Sequence, residues 1–280
     1  PRLQILDWLY LRKFGVELSL FKEEQALFNK LVGFEKIEEF EVPQSFIGNL
    51  RQYQKDGYNW LYFLYNHRLG ACLADDMGLG KTIQVLAFLA EINERLAKQK
   101  EKNSSEPTLH LIIVPPSIVF NWQKEINTFC PHFKVLEYIG IERKIDFKDI
   151  DIVITTYDII RRDIEELKKY NFHVIVFDEV QILKNNMAER TIAAKQLNGR
   201  FKVCLSGTPF ENHIGEYFSI INIALPGLLE NAFSNKINQQ SDEFLDIIIK
   251  RTKPFVLRRT KKEILHDLPA KTETDVYLDF

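Results

Sequence analysis

From residue 50 onward the chain alternates short apolar, β-favouring runs with stretches of helical periodicity, and this alternation limits the fold more than any other feature. The apolar runs lie at 71–74, 109–114, 135–138, 152–155, 174–177 and 203–205. The periodic stretches lie near 51–65, 82–98, 117–128, 157–168, 188–197 and 214–223. Runs that are apolar throughout belong to strands buried on both faces, and strands separated by helices pair in parallel. The expectation is an α/β three-layer sandwich with a parallel sheet. Its 280 residues, 45% of them hydrophobic, suffice for a substantial core.

Residues 1–45 read differently. Leu3, Leu6, Leu9, Leu20, Leu27 and Leu31 recur at helical spacing, so a helical preface is expected, closed by a polar, proline-bearing linker at 38–45. The α/β unit is expected over 46–273, with a helical insertion at about 226–265, where the alternation fades. Residues 98–106 read as a solvated loop. The chain begins at Pro1 without methionine and ends in a strand-like run, which reads as part of something longer, with 274–280 leading out of the unit.

Composition removes several function classes. Lys and Arg number 37 against 39 Asp and Glu, a net charge of −2, so any nucleic-acid contact must come from local geometry and not bulk charge. The three cysteines, Cys72, Cys130 and Cys204, form no CxxC pair, and the six histidines have no metal-ligand spacing. No apolar stretch approaches the roughly 20 residues of a membrane span, so no membrane role is expected.

Two motifs carry chemistry. Residues 73–82 read LADDMGLGKT, between an apolar run and a helix. A phosphate loop needs backbone N–H groups at a helix N-terminus, a lysine for phosphates and a hydroxyl for magnesium. Asp76, Met77, Gly78, Leu79, Gly80, Lys81 and Thr82 supply these, although Asp75 stands where the general GxxxxGK[ST] pattern has its first glycine. Residues 173–179, HVIVFDE, deliver Asp178 and Glu179 at a strand's carboxyl end, where parallel sheets bind ligands. Asp178 suits magnesium and Glu179 suits a base for the attacking water. Together the motifs point to nucleoside triphosphate hydrolysis with Mg2+, Thr82 and Asp178 being the metal-facing groups.

The remaining motifs follow in the order of one family. Residues 50–57 read LRQYQKDG, 111–125 LIIVPPSIVFNWQKE, 154–157 ITTY, 205–212 LSGTPFEN and 255–273 FVLRRTKKEILHDLPAKTE. From about residue 50 to 273 the chain resembles the N-terminal RecA-like lobe of Swi/Snf-type ATPases, double-stranded-DNA translocases of helicase superfamily two. The preface is similar to that of bacterial members. The resemblance implies a Q motif in which Arg51 and Gln54 meet the nucleotide, although Gln54 read alone is equally a polar residue on a helix face. It implies DNA contacts or coupling at Pro116, Ser117, Asn121, Thr155, Thr156, Gln181, Lys184, Asn185, Ser206, Gly207 and Thr208. Ser117 also reads as a helix N-cap, and Trp122 as core packing. Val180 and Gln181 depart from the alanine or glycine and the histidine usual there.

By the same resemblance the partners are double-stranded DNA, a second RecA-like lobe that supplies arginines to the γ-phosphate, and a protein–DNA complex as substrate. The location would be the bacterial cytoplasm at the nucleoid, or the nucleus in a eukaryote. The alternative is an ATP-binding switch or scaffold without motor activity, from which the intact Lys81 and Glu179 argue away.

Overall fold

A computed structural model describes residues 37–98, 108–183, 188–207, 215–229, 248–249 and 251–264 in full, and the backbone alone at 99, 100 and 214. In chain order the elements are α1 (Gln52–Asn66), β1 (Ala71–Leu73), α2 (Lys81–Lys100), β2 (His110–Val114), α3 (Val119–Phe129), β3 (Val135–Glu137), β4 (Ile152–Thr156), α4 (Tyr157–Arg162), α5 (Ile164–Leu167), β5 (Asn171–Phe177), α6 (Glu189–Gln196), β6 (Asn198–Leu205), α7 (Ile214–Ala224) and β7 (Val256–Leu257).

The strands form one seven-stranded sheet in the order β3-β4-β2-β5-β6-β1-β7, with every pairing parallel. The register sets Cys72 beside Cys204 and Ile112 beside Val176. β1, β2 and β4 are buried along their whole lengths, as strands covered on both faces must be. The three cysteines are buried and free. Tyr58, Trp60, Phe88, Trp122, Phe172, Phe177, Phe201, Phe218 and Phe255 are fully buried or nearly so. Each such side chain contributes about 1.5–3 kcal/mol of burial. No helix among the described residues is long and apolar enough to cross a membrane.

All six expected strands are present, and the α/β sandwich is the observed architecture. Four local expectations change. β5 and β6 start several residues early, at Asn171 and Asn198, because ladder pairing continues through Asn171↔Asn198 and Phe172↔Gly199 without apolar support. The helix expected over 157–168 breaks at Asp163, whose carboxylate accepts the Tyr138 hydroxyl at 2.7 Å and two Arg143 N–H groups. Residues 38–45 are not a loose linker. Phe40 packs edge-on against Tyr62 at 4.3 Å, its N–H donates to Asn59 Oδ1, and Ser45 donates twice to Glu94.

The fourth change is the largest. Within the expected insertion at 226–265, Val256–Leu257 is β7, pairing with β1 at the sheet edge. Two residues cannot display a period, and so the strand left no trace in the pattern. The preface at 1–36 and the insertion residues 230–247, 250 and 265 lie outside the described residues.

At the amino end of the sheet, the Tyr65 hydroxyl and His173 Nε2 are 2.7 Å apart, with the His110 ring edge-on to His173 at 5.8 Å. His110 is fully buried, with neither nitrogen bonded among the described residues. Burial first, and His173 second, push its pKa down to about 3. Since the unfolded imidazole titrates near its ordinary value of about 6.5, the two states bind protons equally above that pH. Below it only the unfolded chain takes one up, and stability falls by about 1.4 kcal/mol per pH unit until the folded value is reached. His110→Phe is expected to flatten this acid limb in urea unfolding measured from about pH 7 to 4. An unchanged slope would count against a neutral buried His110.

Candidate active site

The strand order decides which motifs meet. β5, β6, β1 and β7 are consecutive in the sheet and all point the same way, so residues 178–181, 206–207, 74–80 and 258–259 lie side by side at the carboxyl edge. A crevice at that edge is where open α/β sheets take ligands.

The loop of residues 74–80 passes from β1 into α2, whose first turn holds no acidic residue to compete with a bound anion. Gly78 and Gly80 have φ of 84° and 74°, which only glycine adopts without strain. At Gly80 a Cβ would also collide with the Gln54 amide. Lys81 Nζ donates to the loop's own carbonyls, Asp75 O at 2.7 Å and Asp76 O at 3.4 Å. Burial lowers the Lys81 pKa, while Asp75, Asp178, Glu179 and Asp76 pull it back up. Thr82 is half-buried one residue on.

Opposite stands Asp178, buried at the end of β5. Its Oδ2 accepts the Trp122 indole N–H at 2.7 Å, and its Oδ1 accepts the Glu179 N–H at 2.8 Å. The Tyr157 hydroxyl donates to its carbonyl at 2.6 Å. Burial raises the Asp178 pKa; the Trp122 and Glu179 N–H bonds and the Lys81 charge oppose this, and the Glu179 charge adds to it. Glu125, on α3 below Trp122, is likewise raised by burial and by Asp178. Glu179 has φ 48°, a left-handed conformation uncommon for a residue with a side chain and a mark of functional sites.

From Glu179 a chain of bonds leads to β6. Gln181 Nε2 donates to Glu179 Oε2, and Ser206 Oγ donates to Gln181 Oε1 at 3.1 Å. Gly207 follows, with Met77 lying over it and Lys81 Nζ close by, so that a Cβ there would strike Met77. The donor set fits Mg2+ with a nucleotide. A desolvated carboxylate, Asp178, acts on Lys81 through its charge, a hydroxyl residue, Thr82, follows the lysine in the chain, and no group of three or more His, Cys, Asp or Glu among the described residues could hold a metal alone. Asp178 and Thr82 would hold the ion, leaving its other positions to water and phosphate oxygens.

The SNF2-related domain pattern matches residues 53–280. The chain belongs to the SNF2-related family. It is 35% identical over 284 residues to the TATA-binding protein-associated factor Mot1 of Schizosaccharomyces pombe, covering 92% of this chain and 14% of that protein. It is 36% identical over 279 residues to Bacillus subtilis YwqA, a candidate ATP-dependent helicase/translocase, covering 94% of this chain and 29% of that one. The chain thus spans under a third of either relative. The Sulfolobus solfataricus SWI2/SNF2 ATPase core superposes with a TM-score of 0.72 at 35% identity, covering 84% of this chain and 48% of that one. The same core in complex with double-stranded DNA gives 0.69 at 34%, covering 82% and 49%.

Placed in this SNF2-related lobe, the expected site residues divide. Lys81, Thr82, Asp178, Glu179, Gln181, Ser206 and Gly207 converge. Gln54 is not on an exposed helix face. It is buried, takes the Arg51 N–H on Oε1 at 3.0 Å and donates to Leu79 O at 3.3 Å, fastening α1 to the loop. Pro116, Ser117 and Asn121 are exposed at the start of α3, but Ser117 is not its cap, because Pro116 opens a short 3-10 turn first and Ile118 precedes the α-helix.

Thr155 corrects the expectation of a DNA-facing hydroxyl. It is fully buried in β4, and its Oγ1 donates to Tyr138 O at 2.8 Å. Thr156 is buried as well. Lys184, Asn185 and Thr208 lie outside the described residues.

Three site residues escaped the sequence reading. Trp122 looked like core, and is core, but its one polar atom is spent on Asp178. Asp75 and Arg259 lie 184 positions apart and pair only through β7. Groups that orient a metal-binding carboxylate typically affect metal affinity by about 10–100-fold. Trp122→Phe keeps the ring and removes the N–H. It is therefore expected to raise, by about tenfold or more, the magnesium needed for half-saturation of ATP-analogue binding, while leaving metal-free binding unchanged. An unaltered magnesium requirement would show that the indole only packs.

Proposed function

We propose that this chain is the first RecA-like lobe of an ATP-dependent translocase on double-stranded DNA that remodels protein–DNA complexes. The observation that carries the reading is the adjacency of β5, β6 and β1, which sets a phosphate loop, a carboxylate pair and a Ser206–Gln181–Glu179 relay on one edge. The family membership and the DNA-bound relative support it.

In this reading the free amides of the loop and of the first turn of α2 bind phosphate oxygens. Lys81 leaves the carbonyls of Asp75 and Asp76 for the phosphates. The bound ion, when present, neutralises developing charge on the transferred phosphoryl group. Asp178 is aimed by Trp122, whose N–H favours the ionised carboxylate against the effect of burial. Glu179 takes a proton from the attacking water. Gln54 and Arg51 border the base. Pro116, Ser117 and Asn121 meet the DNA backbone, a sequence-neutral contact suited to movement along a duplex. Gln181, Ser206 and Gly207 couple that contact to hydrolysis. A second lobe supplies the arginines that complete the site.

Glu179→Gln in the longer protein is expected to lower DNA-stimulated ATP turnover by about 100-fold or more, the contribution typical of a positioned base. Lys81→Ala should abolish it by preventing nucleotide binding. Residues 1–280 alone should turn over ATP poorly, since an arginine finger is worth about 10³–10⁵ in rate. Turnover that survives both substitutions sinks the assignment. Motor-like rates from residues 1–280 sink only the part given to the second lobe.

A further inference from the structure

β7 and the residues after it do more than close the sheet edge, because they are laid along the phosphate loop. Ala74 N–H donates to Leu257 O at 2.7 Å and Asp76 N–H to Arg259 O at 3.0 Å. In return the Arg259 N–H donates to Asp75 Oδ1 at 3.1 Å and the Lys261 N–H to Asp76 Oδ2 at 3.0 Å. Ile264 packs with Tyr53 of α1 and Leu79 of the loop.

The Arg259 side chain holds the centre of this seam. Its Nε donates to Asp75 Oδ1 at 2.9 Å and its Nη2 to Asp75 Oδ2, a two-pronged ion pair in which Asp75 has no exposure and Arg259 only 14%. Nη2 also reaches Gln84 Oε1 on α2 at 2.8 Å, and Nη1 donates to Tyr53 O at the start of α1. The guanidinium carbon stands 5.4 Å above the Tyr53 ring. One side chain therefore joins the end of β7, the loop, α1 and α2.

Buried ion pairs contribute little net stability, because desolvation offsets their attraction; what they can fix is registry. Here the registered object is the loop. Asp75 replaces a glycine of the general pattern, and the carbonyls that receive Lys81 belong to Asp75 and Asp76, the two residues gripped by the seam.

We propose that Arg259 is a positioning residue for the phosphate loop, making nucleotide affinity depend on β7 being seated against it. This rests on the reading that the loop holds nucleotide phosphates. Linkage then requires the converse. Nucleotide must tighten the seat of β7 by the factor by which seating tightens nucleotide. A strand that grips the loop in this way carries its own position into the ATP site.

The first test needs no variant. Amide hydrogen exchange at Arg259 and Lys261 is measured with and without a saturating magnesium–ATP analogue, and is expected to slow when the analogue is bound; unchanged exchange at saturation overturns the proposal. The second uses a fluorescent ATP analogue with Arg259→Lys, which keeps the charge but not the fork, and with the neutral pair Asp75→Asn/Arg259→Gln, each followed by thermal unfolding. Both are expected to bind about tenfold more weakly, the loss of a charge-assisted hydrogen bond, even where the neutral pair regains the unfolding midpoint lost by either single change. Affinity that simply follows the midpoint makes Arg259 structural only. Lys81→Ala separates the two readings: if it binds like the parent, the phosphate-loop assignment fails and the proposal with it. If it abolishes binding while Arg259→Lys does not weaken it, the seam alone is refuted.

Discussion

Every chemically active group here depends on seven strands running in one direction. A parallel strand ends where its neighbours end, so the loops that follow β5, β6, β1 and β7 are forced into one crevice although they come from residues scattered between 74 and 259. An antiparallel pairing anywhere among them would send one of these loops to the opposite edge. The burial of β1, β2 and β4 on both faces is thus a functional requirement as well as an energetic one. It holds the sheet rigid where backbone amides and carboxylates must keep their spacing.

The electrostatics of the crevice follow from that rigidity. Lys81 is surrounded by Asp75, Asp76, Asp178 and Glu179, yet burial still lowers its pKa, so the desolvation of one ammonium outweighs the attraction of the carboxylates around it. Asp75 is answered by Arg259. Asp178 has only neutral donors, Trp122 and the Glu179 amide, and its pKa is raised. The Lys81 charge opposes that shift, and a divalent ion brought with phosphates would oppose it further.

What could be read beforehand depends on how far along the chain a residue's partners lie. Strands of three to five apolar residues and the loop-to-helix junction at 80–82 are local signals, and both stood as expected. β7 is two residues long and owes its existence to β1. Thr155 and Trp122 look alike in type to residues that contact ligands or pack cores; the fold spends the Thr155 hydroxyl on Tyr138 and the Trp122 N–H on Asp178. Phe40, set among glutamates, reads as linker because its contact with Tyr62 of α1 is invisible until the helix is in place. Arg259, within the 255–273 motif, has no partner nearby in the chain, and only the parallel docking of β7 turns it inward to Asp75.

The carboxylates of Asp178 and Glu179 are oriented from different directions, and this bears on how a motor could use them. Asp178 is held from α3, the helix whose first turn exposes Asn121 and whose approach exposes Pro116 and Ser117. Glu179 is held from β6 through Gln181 and Ser206. On the proposed reading a duplex pressing on the start of α3 acts on the magnesium-facing carboxylate, and a shift at residues 206–207 acts on the base. Glu179 itself occupies a left-handed conformation, the kind of strained backbone that clusters at active sites and switch regions. On that reading the Trp122 bond to Asp178 and the Gln181 bond to Glu179 are the two points, one from α3 and one from β6, through which a duplex would act inside the lobe.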